Sequence, residues 1–205
     1  MTDMHDEVVA FSDAAHWVSV VVRMLPASSW DGPGLGEWDL RGLVGHTACA
    51  LLTMEQYIGV PAETEDVIDA EGYYEAVARM LGADPAAVRR RGIEAGAALG
   101  ADPASSFQEI ADRAVASALG WADGIIRTPV GGMRASCYLP TRTFELIVHG
   151  LDVARAGGVT TTPPELPLRR ATSLAVSLAV RSGEGAAVLM ALTGREPLRT
   201  GFTVL

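Results

Sequence analysis

The residues best placed to do chemistry are Glu145 and His149, within TRTFELIVHGLDVARA, Thr141 to Ala156. In a helix they lie about one turn apart on one face, and Asp152 continues that line. Phe144, Leu146, Ile147, Val148, Leu151 and Val153 around them are apolar, so much of this helix is expected to be buried, and a buried carboxylate and imidazole need partners. A metal ion would serve both. Hydrogen bonds inside a helical bundle would also do so, and this helix alone does not separate the two readings.

A second apolar helical pattern, WDLRGLVGHTACALLTM, Trp38 to Met54, carries one histidine. Leu40, Leu43, Val44, Thr47, Ala48, Leu51 and Leu52 form its stripe, and His46 sits at the border. A lone histidine there usually belongs to the core. Together with Glu145 and His149 it completes two imidazoles and one carboxylate, the three-ligand grouping that binds Zn²⁺ and similar ions and leaves a position for a reactant. Cys49, three residues after His46, is either an alternative sulfur ligand or a small buried side chain.

Trp38 to His46 (WDLRGLVGH) and Arg142 to Ala156 (RTFELIVHGLDVARA) resemble the metal-binding domain of the mycothiol-dependent maleylpyruvate isomerase family, within the DinB-like superfamily. The similarity extends over most of the chain, including the ending ALTGREPLRTGFTVL. It implies a metal site at His46, Glu145 and His149, a divalent ion (Zn²⁺, with Ni²⁺ or another as alternatives), and mycothiol as co-substrate. The family's founding isomerase has a longer C-terminal portion that helps form its substrate site. What the resemblance carries to this chain is therefore the metal site, with thiol transfer or an isomerase-like reaction on an electrophilic substrate as its expected use. A metal stabilises a deprotonated thiol, which makes a small thiol nucleophilic at neutral pH. The rival reading is a DinB-like bundle that binds metal or a small ligand without turnover, as in a stress response.

Around this centre, Asp152 can orient a ligand or form an ion pair with a basic residue. Arg142, one turn before Glu145, can meet an anionic substrate or the carboxylate itself, and Arg134 and Arg155 are weaker candidates. Trp38 can wall a pocket or act as a packing staple. His5 and His16 have no acidic or cysteine partner at ligand spacing and stay outside the site.

Composition narrows the alternatives. With 205 residues, 49% of them hydrophobic, the chain can bury one substantial core. A formal net charge of -9 argues against nucleic acid or an anionic membrane as partner. Two distant cysteines, Cys49 and Cys137, make no disulfide framework, and the acidic start MTDMHDEVVAFSDAAHW lacks the pattern of a secretory signal, so a reducing cytoplasm is expected. The apolar run Ala171 to Leu192 is interrupted by RSGEG at Arg181 to Gly185, which leaves pieces too short to span a bilayer. No nucleophile-elbow, phosphate-loop or dinucleotide fingerprint competes for the active site.

The elements that must position these residues are helical. A first helix is expected from about Asp6 to Leu25, and a second from Asp39, a plausible N-cap, to Gly59. Two further helices are expected within Glu63 to Gly100, broken by GADP at Gly82 to Pro85, and a long one from Pro103 to Ile126. A loop or short extended piece, RTPVGGMRASCYLP, should follow, then the helix of Thr141 to Ala156, the connector GGVTTTPPELP, and helices at Ala171 to Val180 and Ala186 to Leu192. FTVL at the end reads as a short strand or extended tail. The expected architecture is all-α: a DinB-like four-helix bundle over residues 1–160, with a helical insertion at about 60–101 and a short C-terminal helical extension over 161–205. Partners are expected to be a small thiol and its electrophilic acceptor, and dimerisation through an apolar face outside the bundle is left open.

Overall fold

The computed structural model describes residues 4–81 and 85–205. They form α1 (Met4–Met24), α2 (Leu40–Ile58), α3 (Ala70–Leu81), α4 (Pro85–Ala98), α5 (Pro103–Leu119), β1 (Ile125–Thr128), β2 (Gly131–Arg134), α6 (Ala135–Ala156), α7 (Glu165–Arg181) and α8 (Gly185–Leu192). The break expected over Gly82 to Asp84 lies outside the described residues. Four helices make the bundle: α1 packs on α5 and α6, and α2 packs on the same two. Their apolar stripes meet in one core in which Phe11, Leu43, Leu51, Phe107, Leu146 and Ile147 are almost wholly withdrawn from solvent, the arrangement of an all-α, DinB-like bundle. Among the described residues no helix is long and apolar enough to cross a membrane, and Cys49 and Cys137 are both free thiols.

The second helix starts where its chemistry says it should, because the Asp39 side chain accepts a hydrogen bond from the Gly42 N–H at 2.7 Å, satisfying an amide of the first turn. Against α2 lies α4, and the approach is close because Gly45 and Gly96 face each other. A Cβ on either would collide with the other helix's backbone. The third helix packs on α6 and α7. Thus the two helices between α2 and α5 flank the two helices that carry His46, Glu145 and His149.

Two expectations are corrected. The helix from Pro103 stops at Leu119, seven residues short of Ile126, because Gly120 caps it and the chain then turns into a β-hairpin. The segment expected to be a loop or short extended piece is extended at Met133, which pairs in antiparallel register with Ile126, the last residue of the expected helix. A strap from Val60 to Val67 bonds to this hairpin: Asp66 and Val67 donate to the Gly132 carbonyl, and the Asp66 carboxylate accepts from the Gly132 N–H at 2.7 Å. Gly132 is required there, since a Cβ would run into the Thr64 carbonyl. The site helix in turn begins at Ala135, not Thr141, and keeps Pro140 inside it. Asp123 supplies the missing cap by accepting from the Ser136 N–H at 3.0 Å, so an end that looks uncapped in sequence is satisfied from across the hairpin.

C-terminal to the bundle, α7 packs on α6 and α1 and α8 packs on α7. The closing residues are an extended tail without strand pairing, and Val204 and Leu205 help line an apolar groove with Phe144, Ile147, Val148 and Leu151 of α6.

Candidate metal centre

Helical spacing and bundle packing bring three of the expected residues together. One ligand atom from each of His46, Glu145 and His149 lies within 4.8 Å of the other two. His149 Nε2 is 3.1 Å from Glu145 Oε2, as a one-turn separation on α6 allows, and the His46 and His149 rings meet edge-on with centroids 4.7 Å apart. The Glu145 and His149 side chains retain 21% and 16% exposure, so the cluster sits at the edge of the core with access to a cavity.

Each residue is held by a neighbour. Glu145 Oε1 accepts a 2.8 Å hydrogen bond from the Tyr74 hydroxyl of α3. His149 Nδ1 lies 3.5 Å from Asp152 Oδ2, within ion-pair reach though long for a hydrogen bond, and makes no other polar contact. His46 lies under Trp38, stacked at 4.5 Å between centroids, and the Trp38 indole N–H donates to the Arg89 carbonyl of α4 at 3.0 Å.

These surroundings separate the acidities of the three groups. Burial disfavours the charge on Glu145, but the His149 hydrogen bond, the Arg142 charge and the Tyr74 hydroxyl outweigh it and hold the carboxyl well below its usual range. Burial likewise works against the His149 cation, yet Asp152 and Glu145 raise it to about 9. His46 goes the other way: burial, then the neighbouring His149 charge, lower it to about 4. At neutral pH the cluster is one carboxylate, one neutral imidazole and one imidazolium held between two carboxylates.

A cavity of about 210 Å³ adjoins the cluster, lined by His46, Cys49, Thr53, Tyr57, Tyr73, Tyr74, Arg91, Arg142 and Glu145 among others. Arg142 is buried at its edge, lying over the rings of Tyr73 and Tyr138 at 5.3 and 4.9 Å and donating from Nη1 to Thr53 Oγ1 at 3.3 Å. Cys49 lines the cavity, but its thiol points back to the Gly45 carbonyl and it does not join the three-residue cluster. Arg134 pairs with Glu65 at 3.3 Å and Arg155 is exposed; neither lines this cavity. His5 and His16 are exposed on α1.

Tyr74 and the stacking role of Trp38 escape sequence reasoning. Tyr74 stands in a charged, alanine-rich stretch with nothing to mark it as facing α6, and Trp38 before a helix reads as a pocket wall or a packing staple, not as a partner of His46.

The family model for the mycothiol maleylpyruvate isomerase N-terminal domain matches residues 11–154, a span that contains His46, Glu145 and His149. No curated protein and no solved structure matches the chain.

Proposed function

The chain belongs to the mycothiol maleylpyruvate isomerase N-terminal domain family, and from that premise we propose that it is a metal-dependent thiol transferase or isomerase-like enzyme of the cytoplasm. His46, Glu145 and His149 would hold one divalent ion, zinc best matching two imidazoles and a carboxylate. The observation that carries this reading is the convergence of three ligand atoms within 4.8 Å beside a cavity lined by polar groups.

The residues fit the ion on their own chemistry. Glu145 is ionised and His46 keeps a free lone pair at neutral pH, because its neighbours hold the Glu145 carboxyl low while burial, then the His149 charge, holds the His46 imidazole neutral. His149 holds a proton between two carboxylates, where a cation is favoured, and Asp152 stands where an outer carboxylate orients a metal-bound imidazole. A divalent ion at these residues supplies the lowered thiol pKa that makes a small thiol, mycothiol in this family, a nucleophile at neutral pH. The chain's own part is to bind and orient. Tyr57, Tyr73 and Tyr74 wall the cavity, and Arg142 and Arg91 give it positive charge to receive a thiolate and its electrophilic acceptor.

The test is elemental analysis of protein purified without chelator or affinity metal, beside His149→Ala. About one zinc per chain, as three protein ligands to a single ion require, and its loss in the variant are expected, followed by mycothiol-dependent turnover of electrophiles. A chain that takes up no divalent ion even after reconstitution would overturn the reading; one that binds zinc without turnover would leave a metal-binding bundle.

A further inference from the structure

The three candidate ligands are not supported alike. His149 has Asp152 on its own helix, whereas His46 and Glu145 are each held from outside the bundle. The His46 ring makes ring contacts with Trp38 and His149 but no hydrogen bond among the described residues, so it lacks the polar outer partner that usually fixes a ligating imidazole. What limits its rotation is the indole face lying 4.5 Å away, 28° from parallel.

That indole is itself fixed from α4. Its N–H is tied to the Arg89 carbonyl at 3.0 Å, and Gly92 leaves it room that a Cβ would occupy at 2.8 Å. On the other ligand, Tyr74 of α3 takes Glu145 Oε1, which leaves Oε2, the oxygen facing His149, to present inward. The Tyr74 ring is pinned between Tyr73 and Phe144, with centroids 5.7 and 5.4 Å away, so the hydroxyl acts from a rigid mount.

We infer that α3 and α4 preorganise the metal centre, with Trp38 as the positioning residue for His46 and Tyr74 as the positioning residue for Glu145. The inference rests on the metal reading above. It assigns the helices between α2 and α5 a task beyond covering apolar surface: they remove side-chain freedom that binding would otherwise have to remove, as a supporting shell does for a designed site.

Zinc affinity measured by competition with a chromophoric chelator tests this in the full chain, with the melting temperature of each metal-free variant alongside. Trp38→Ala and Gly92→Ala should each weaken zinc binding about tenfold, and Tyr74→Phe, which keeps the ring and loses only the O–H, by a similar factor, at the low end of what outer partners contribute. Trp38→Phe keeps a stacking face and should restore affinity to within about threefold of wild type. A tryptophan emission change on adding zinc, present in wild type and lost in Trp38→Phe, checks that the ion arrives beside this indole, while the contrast in affinity between Trp38→Ala and Trp38→Phe separates positioning from bulk. If Trp38→Ala does not fold, Gly92→Ala and Tyr74→Phe decide through zinc affinity. Unaltered affinity in Gly92→Ala and Tyr74→Phe would overturn the inference and leave the metal reading standing; a wild-type chain that binds no zinc would overturn both.

Discussion

Glu145 on α6 and Glu7 on α1 are both carboxyl groups largely withdrawn from solvent, with 21% and 2% of their side chains exposed, and their surroundings push them in opposite directions. Burial disfavours ionisation of each. At Glu145 a hydroxyl, an imidazolium and a guanidinium converge and reverse that effect. Glu7, only 1% exposed, has Arg170 Nε at 3.3 Å from one oxygen and no hydrogen-bond partner for the other, so burial prevails over Arg170 and its pKa is raised, with Asp6 adding to the rise. Burial of an acid therefore does not mark a site by itself. What sets Glu145 apart is that His149 and Arg142 of its own helix and Tyr74 of α3 hold its charged form beside a cavity.

The comparison breaks most visibly at the metal. Glu145→Gln should reduce zinc affinity about a thousandfold, roughly a third of the binding energy of a structural zinc site, while Glu7→Gln should leave it unchanged. Calorimetric or chelator-competition titration of the two variants checks this, and equal losses would mean that Glu145 acts only through folding.

A second difference appears in the metal-free protein as pH is varied. The folded-state pKa of His149 is raised from 6.5 to about 9, so its contribution to stability is complete below 6.5 and is lost as pH rises through about 9. The stability gap between metal-free wild type and His149→Gln should therefore shrink by about 2 kcal/mol between pH 6 and pH 10, the linkage being shared with Glu145. Urea unfolding across that range measures it, and a constant gap would remove the ion-pair account of the cluster.

Arg170→Met probes the other acid at a similar scale. Methionine keeps the aliphatic stem but strands the Glu7 carboxylate, so the variant should lose about 2 kcal/mol at pH 7.5, somewhat less than a fully buried pair because Arg170 is partly exposed. Since the Glu7 pKa is already raised and rises further without its cation, the deficit should narrow towards pH 5 as the carboxyl takes up a proton. A deficit independent of pH would assign the loss to packing alone.

How much of this was legible beforehand follows from the range of each interaction. The pairing of Glu145 with His149, and the Asp39 cap, are consequences of helical spacing and can be read off adjacent turns. His46 required two separated segments to be considered together, which residue chemistry and a family resemblance made possible. Of the hairpin at Ile125 to Arg134, the second strand falls in the expected loop or short extended piece while the first overlaps the end of the expected helix, because the strands are four residues each and bond to a strap from Val60 to Val67. Tyr74 and the Trp38 stack depend on where α3 and α4 fold back, a long-range outcome that no local period encodes. Glu7 carries no local mark of its burial, and its cation, Arg170, comes from α7, far along the chain.

The smallest expected effect sharpens the contrast furthest, because it asks whether a buried acid can be neutral in its net contribution. Glu7→Gln removes a charge that the folded state disfavours. The cation left behind is not stranded, since Arg170 also reaches Asp6 Oδ2 at 3.4 Å and keeps 31% exposure. At pH 7 to 8 the variant should match or exceed wild-type stability by up to about 1 kcal/mol, as replacing a costly buried ion often does. The sign follows from linkage: a carboxyl whose folded pKa is raised binds its proton more tightly in the folded state, so ionisation costs stability above that pKa, and the advantage of glutamine should vanish below pH 4.5, where the acid is protonated in the folded chain. Glutamine at position 145 should behave in the opposite sense in metal-free protein, destabilising most above pH 4.5, where Glu145 is charged and held by Tyr74 and His149. Two substitutions of the same chemistry with opposite pH slopes would show that what surrounds the two carboxyls decides the sign of their contribution.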